Sequence, residues 1–209
     1  MSIPEKPASA GPAHAQDPGK AEDIAKAVSK LQGSRGGPAP VHLWNPPYCG
    51  DLDIRIARDG KWWYLGTPIG REELVRLFAS VLKLEDGKYF LVTPVEKIGI
   101  KVDDAPFLAV DVEAEGDGAA RRLTFVTSLG ERAVAGAQNP IRVVRDPETG
   151  EPAPYVHVRA GLEALIDRKS FYRLVELGEI EAHEGADWFG LRSCGVFFPV
   201  IPAAELPEF

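Results

Sequence analysis

Cysteine, methionine and histidine are scarce in this chain, at two, one and four of 209 residues. Cys49 and Cys194 lie 145 positions apart, so they make neither a disulfide framework nor a zinc knuckle. The reducing cytoplasm follows as the expected location. His14, His42, His157 and His183 are not spaced to share a metal, and no metal is expected. Long apolar runs are missing too: none approaches the ~20 residues that a membrane helix needs. The opening MSIPEKPASAGPAHAQDPG lacks a basic patch followed by an apolar core, so it does not read as a secretory signal. Positive charge is in deficit. The net charge is −7, of which residues 1–40 contribute +1 and the remainder −8. Nucleic-acid interfaces draw affinity from a basic surface that neutralises phosphate, so nucleic acid is not an expected partner.

The strong catalytic signatures are also absent. There is no G-x-x-x-x-G-K-[ST], no G-x-S-x-G and no H-E-x-x-H. The two DGK triplets, Asp59–Lys61 and Asp86–Lys88, read as hairpin turns. GDGAAR, Gly116–Arg121, lacks the third glycine and the following helix of a dinucleotide loop. The reading therefore leans away from an enzyme.

Ala, Pro and Gly supply nineteen of the first forty residues, a composition that buries too little apolar surface to offset chain entropy. Within it, KAEDIAKAVSKLQ spaces Ile24, Ala27, Val28 and Leu31 for one short amphipathic helix. A helix of this length is marginal alone, so it reads as a weakly packed tail helix or as a docking helix. From Val41 the pattern becomes globular. Leu52, Ile54 and Ile56 alternate with Asp53 and Arg55 as in a half-buried strand, RDGK turns the chain, and KWWYLG returns it. TPIGREELVRLFASVLK carries a wide apolar stripe and predicts a helix. Strands follow through EDGKYFLVTPVEKIGIKV, at Leu108–Val112, at Leu123–Thr127, and more briefly at Arg132–Ala135 and Ile141–Arg145. DPETGEPAP reads as a turn cluster, YVHVR as a strand, and DRKSFYRLVELG as a second helix with Gly178 as its C-cap. DWFGLRS and GVFFPVI end the chain as strands joined through Cys194-Gly195.

One internal repeat organises this order. IGREELVRL, Ile69–Leu77, matches IDRKSFYRL, Ile166–Leu174, at an offset of 97. Each copy follows a short strand and precedes a glycine loop and an aromatic pair, which favours duplication over coincidence. Gly70 and Asp167, before the shared arginine, are both acceptable N-caps, so both helices are expected to start at the same point.

The repeated arginine is the better functional lead. Arg71 and Arg168 sit where a cation opposes the helix macrodipole, so they do not serve helix stability. Free amides at a helix start with an arginine beside them can receive an anion. Two such sites, related by duplication, could face each other across a domain junction. Arg159 would add charge, and Trp62 or Tyr64 a stacking face. Asp51 and Asp53 project from one side of a strand, where they could hold a divalent cation, work as an acid/base pair, or lie solvated beside Arg55. Cys49 could be a nucleophile, for example with His42 or His157, but its local sequence lacks an electropositive setting, and it reads better as a small buried corner residue.

Three segments, WNPPYCGDLDIRIARDGKWWYLGTPIGREELVRLFASVL, YFLVTPVEKIGIKVDDAPF and VHVRAGLEALIDRKSFYRL, together resemble the bacterial family catalogued as domain of unknown function 1285, over roughly residues 41–200. The family's TN-x-G-D turn stands here as TSLGE, Thr127–Glu131. The resemblance implies a two-part fold with a duplicated core and a C-terminal part superficially like a pleckstrin-homology domain. It also implies a ligand cleft at the domain junction, a nucleotide-like ligand and a signalling role. It carries over no catalytic residue.

The expectation is an α+β, mostly β protein with a duplicated strand–helix–strand core. Residues 1–40 form a tail with one short helix, 41–95 a small hairpin-helix domain, and 96–209 a β-rich domain with one main helix. The leading function is a cytoplasmic ligand-binding regulatory module for a small anion, with Arg71, Arg168, Arg159, Trp62 and Tyr64 as ligand-binding residues. The alternatives are a hydrolytic or redox enzyme using Cys49 with Asp51 and Asp53, and a protein-interaction scaffold using the tail helix.

Overall fold

Alternation and turn chemistry account for most of the elements. The computed structural model describes residues 19–32 and 37–206; the rest of the expected tail lies outside the described residues. The chain divides into two units. The first runs to Ile54 and resumes over Trp63–Lys101; the second takes Arg55–Trp62 and the chain from Val102 onward.

In the first unit, α1 (Lys20–Gln32) forms where the sequence predicts it. It packs on α2 (Glu72–Ser80), with Ala21, Ile24 and Val28 fully buried. The apolar face of the tail helix is thus covered by its own chain, and tertiary burial supplies what propensity alone does not. β1 (Tyr48–Ile56) and β2 (Trp62–Tyr64) make the expected hairpin, with Leu52, Ile54 and Ile56 buried on one face. β3 (Thr67–Pro68), β4 (Leu82–Glu85), β5 (Lys88–Val92) and β6 (Lys97–Val102) complete a six-stranded sheet ordered β3-β2-β1-β6-β5-β4. Val75, Phe78 and Ala79 of α2 and the following Val81 are buried. The contact division falls at Lys101, near the end of β6, which pairs with β5 over Lys97–Ile100.

The second unit holds β7 (Phe107–Glu115), β8 (Arg122–Thr127), β9 (Arg132–Val134), β10 (Ile141–Arg145), β11 (Pro152–Arg159) and β12 (Leu162–Ile166), in a sheet ordered β10-β11-β12-β7-β8-β9. All its pairings are antiparallel except β12 with β7. α3 (Arg168–Val175) packs on β7. It leads into a three-stranded antiparallel sheet of β13 (Glu179–His183), β14 (Ala186–Ser193) and β15 (Val196–Pro202). The Ser193 hydroxyl ties this sheet to the larger one: it accepts the Leu123 N–H at 2.9 Å and donates to the Ala135 carbonyl at 2.8 Å. Arg121 adds to the tie. Its carbonyl accepts the Cys194 N–H at 2.8 Å, and its guanidinium donates to the Leu177 carbonyl at 2.6 Å.

The duplication is real in architecture. Helix α2 is followed by β4-β5-β6 and helix α3 by β13-β14-β15, each an antiparallel meander. The first turn of each meander is an X-Gly pair at positive φ, Asp86-Gly87 and Glu184-Gly185. Leu65-Gly66, Ala160-Gly161 and Cys194-Gly195 repeat the device in three other two-residue hairpins. Glycine at the second position is what lets leucine and alanine be carried into this left-handed geometry at the first.

Several local expectations differ from the fold: the helix expected over TPIGREELVRLFASVLK shortens to α2, with Thr67–Pro68 in β3 and Leu82 and Lys83 in β4. α3 starts at Arg168 under Asp167, whose carboxylate accepts the Ser170 N–H at 2.7 Å, whereas α2 starts at Glu72 with Arg71 itself as N-cap and no side-chain cap bond. Gly70, without an acceptor, does not cap. Gly178 is no C-cap either, because α3 ends at Val175 and Glu176 is its C-cap. A Cβ at Gly178 would stand 2.1 Å from the Phe189 ring, so the glycine makes room for that aromatic. β12 and β13 escape the sequence reading: LEALI and EIEAH are short, and their acidic positions break the apolar pattern.

Candidate functional site

The start of α3 borders a cavity of ≈ 540 Å³ within the second unit. Its wall combines Arg168, Phe171 and Tyr172 of α3, Pro152–Pro154 of β11, Leu165–Asp167, Glu151, and Arg58 from the β1–β2 turn. The volume is that of a small-molecule site. The aromatic and proline side chains give it an apolar wall, on which Arg58 and Arg168 stand with Glu151 and Asp167.

Arg58 is anchored. Its Nε lies 3.0 Å from Asp104 Oδ2, while Tyr155 donates its hydroxyl to Asp104 Oδ1 at 2.7 Å. Burial, then the bond to Asp104 and the charge of that carboxylate, push the Tyr155 phenol up to about 12. The Arg142 guanidinium stacks 4.2 Å from the centre of the Tyr155 ring and is itself held by Glu163. Asp104 thus joins the hairpin turn to the sheet. Arg168 is held loosely: Glu151 lies at 3.9 Å, and both side chains are about three-quarters exposed, at 77% and 73%. Asp167 is committed to its capping bond.

The other predicted ligand residues lie elsewhere. Arg71 lines a different cavity, of ≈ 910 Å³ between α1 and α2, with Lys26, Lys30, Leu74 and Leu77. Arg159 is neutralised: Glu131 receives it on two oxygens, at 2.9 and 3.1 Å, and its guanidinium lies 5.4 Å from the Phe107 ring centre. Glu131 belongs to TSLGE, so the acid of that turn holds an arginine. Trp62 is 2% exposed, which removes its face from any ligand, and Tyr64 is half-buried on β2.

Cys49 is exposed, not buried at a corner, and its Sγ lies 3.4 Å from the Pro47 carbonyl oxygen. Strand alternation turns it outward, because the buried set of β1 is Leu52, Ile54 and Ile56. Asp51 accepts the Tyr48 hydroxyl at 2.7 Å, and Asp53 is exposed. Among the described residues no group of three or more His, Cys, Asp or Glu is placed to hold a metal. His157 has both ring nitrogens engaged, Nε2 accepting the Gly161 N–H at 3.0 Å and Nδ1 lying 3.2 Å from Asn139 Nδ2. No helix among the described residues is long and apolar enough to cross a membrane.

Sequence reasoning missed Arg58, Glu151, Phe171 and Tyr172. Arg58 stood in a turn signal and explained itself there. Phe171 and Tyr172 lie within the repeat, where the first copy has Leu74 and Val75; two aromatics in place of aliphatics were the available clue.

Relatives fit this architecture. No curated protein matches the chain. A crystal structure of a DUF1285 family protein from Silicibacter pomeroyi DSS-3 is 62% identical, with a TM-score of 0.79, covering 87% of this chain and 98% of its own. One from Shewanella baltica OS155 is 31% identical, with a TM-score of 0.46, covering 59% of this chain and 90% of its own. Residues 39–105 match the N-terminal domain of unknown function DUF1285, and residues 106–200 match its C-terminal domain. On the two domain matches and the 62% identical structure, the chain belongs to the DUF1285 family.

Proposed function

We propose that this chain is a cytoplasmic ligand-binding regulatory module with a role in signal transduction, and that it takes a small anionic, nucleotide-like ligand in the cavity at the start of α3. The observation that supports this reading is the pairing of Arg58 and Arg168 with Phe171 and Tyr172 around one cavity. An anionic group would meet the guanidiniums, and a planar body would lie against the aromatic and proline wall. Of the arginines expected to bind, Arg168 keeps this role, Arg159 is occupied by Glu131, and Arg71 lines its own cavity. The two exposed thiols suit a reducing compartment.

Calorimetric titration with AMP, ADP and pyrophosphate tests the reading. Binding by at least one of them, lost in Arg168→Ala and in Arg58→Ala and kept in Arg71→Ala, is the expected result. Binding that survives Arg168→Ala, or no binding by any of the three, refutes the site.

A further inference from the structure

We infer that Glu151 is a built-in competitor for the ligand's anionic group, and that the cavity therefore takes a phosphate-type dianion in preference to a carboxylate; this rests on the ligand-binding reading above. The turn over residues 146–151 holds the backbone of Glu151 in place. The Asp146 carboxylate accepts the Glu148 and Thr149 N–H groups at 2.9 and 2.8 Å. The Asp146 N–H donates to the Glu151 carbonyl at 2.9 Å, and the Gly150 N–H donates to the Asp146 carbonyl at 2.8 Å. The Glu151 side chain alone is left to swing, and it reaches Arg168 at the outer limit of an ion pair.

That position is where a ligand anion would sit. The cavity wall carries Arg58 and Arg168 against Glu151 and Asp167, and Asp167 is spent on capping α3. A ligand carboxylate that displaces Glu151 replaces one monoanion by another and gains little. A dianion exchanges one charge on Arg168 and brings a second to Arg58, which shares the cavity wall. Exchange is easy because an exposed pair of this kind is weak.

Phenyl phosphate and benzoate, which share a ring and differ in the anion, separate the cases by calorimetry on the full chain. Wild type binds phenyl phosphate at least about tenfold more tightly than benzoate, the step that one further charged contact supplies. Glu151→Gln tightens benzoate binding by roughly three- to fivefold, the range of an exposed ion pair, and Arg168→Ala abolishes binding of phenyl phosphate. If phenyl phosphate binds through Arg168 but Glu151→Gln changes neither affinity, or if wild type binds both probes alike, the competitor role is refuted while the site stands. If neither probe binds wild type or Glu151→Gln, the site and the competitor fall together.

Discussion

Ser193→Ala should strongly destabilise the second unit. The side chain is wholly buried, and its hydroxyl bonds β14 to the start of β8 and to Ala135. Both backbone partners belong to fully buried residues, Leu123 and Ala135. Removing the oxygen orphans a buried N–H and a buried C=O, each at about 1–2 kcal/mol, the lower part of the range for an unsatisfied buried group. The gap is a single hydroxyl, a poor fit for a compensating water. A loss of about 2–4 kcal/mol is expected. With a urea slope of about 2 kcal/mol/M, the midpoint moves down by about 1–2 M. Urea unfolding followed by tryptophan fluorescence measures it, and amide exchange at Leu123 reports the orphaned N–H directly. A midpoint shift below about 0.3 M on that scale, with Leu123 still protected, would refute the argument that this hydroxyl joins the two sheets.

Three further outcomes follow from single contacts. Arg71→Asp gives α2 the side-chain cap that Arg71 lacks and reverses an unfavourable charge at the helix start, so thermal unfolding should show a gain of about 0.5–1 kcal/mol; a loss would place Arg71 in a structural role. The Tyr155 phenol, raised from 10.0 to about 12, favours its neutral form in the fold, so its contribution to stability is complete below pH 10 and fades as pH rises toward 12. Absorbance titration should show a phenol near pH 12 that Tyr155→Phe removes and that Asp104→Asn brings down, beside the Tyr48 phenol, which its bond to Asp51 also raises; a titration unchanged in Tyr155→Phe counts against this. Gly190→Ala would set a Cβ 2.4 Å from the Phe198 carbonyl oxygen, a clash with backbone that cannot swing aside. A loss of about 3 kcal/mol or more in urea unfolding is expected, and a fully stable variant would contradict the cross-strand approach.

Local chemistry decided much of this protein from sequence alone. Apolar alternation set the hairpin of β1 and β2, because a pleated strand sends every second residue to the same side. Helical spacing placed α1 at Lys20–Gln32, and the two DGK triplets turned where glycine at positive φ permits it. The repeat at an offset of 97 announced two copies of one helix, each followed by a glycine loop and an aromatic strand. Each strand, helix and turn signal lies within a short run of consecutive residues, and the repeat shows by comparing two such runs, so the chain displays them without folding.

What the sequence could not display is which distant groups meet. Arg58 and Arg168 are 110 positions apart, yet they line one cavity because Asp104 holds the hairpin turn in the second unit. Arg159 looks as free as Arg168 in the sequence, and only the fold brings Glu131 to it. Trp62 and Cys49 exchanged roles for the same reason: one ring is covered and one thiol is bared by neighbours that periodicity cannot name. Secondary structure follows from interactions a few residues long. The pairing of charges and the covering of side chains depend on contacts between remote segments, and those are settled only when sheets and helices pack.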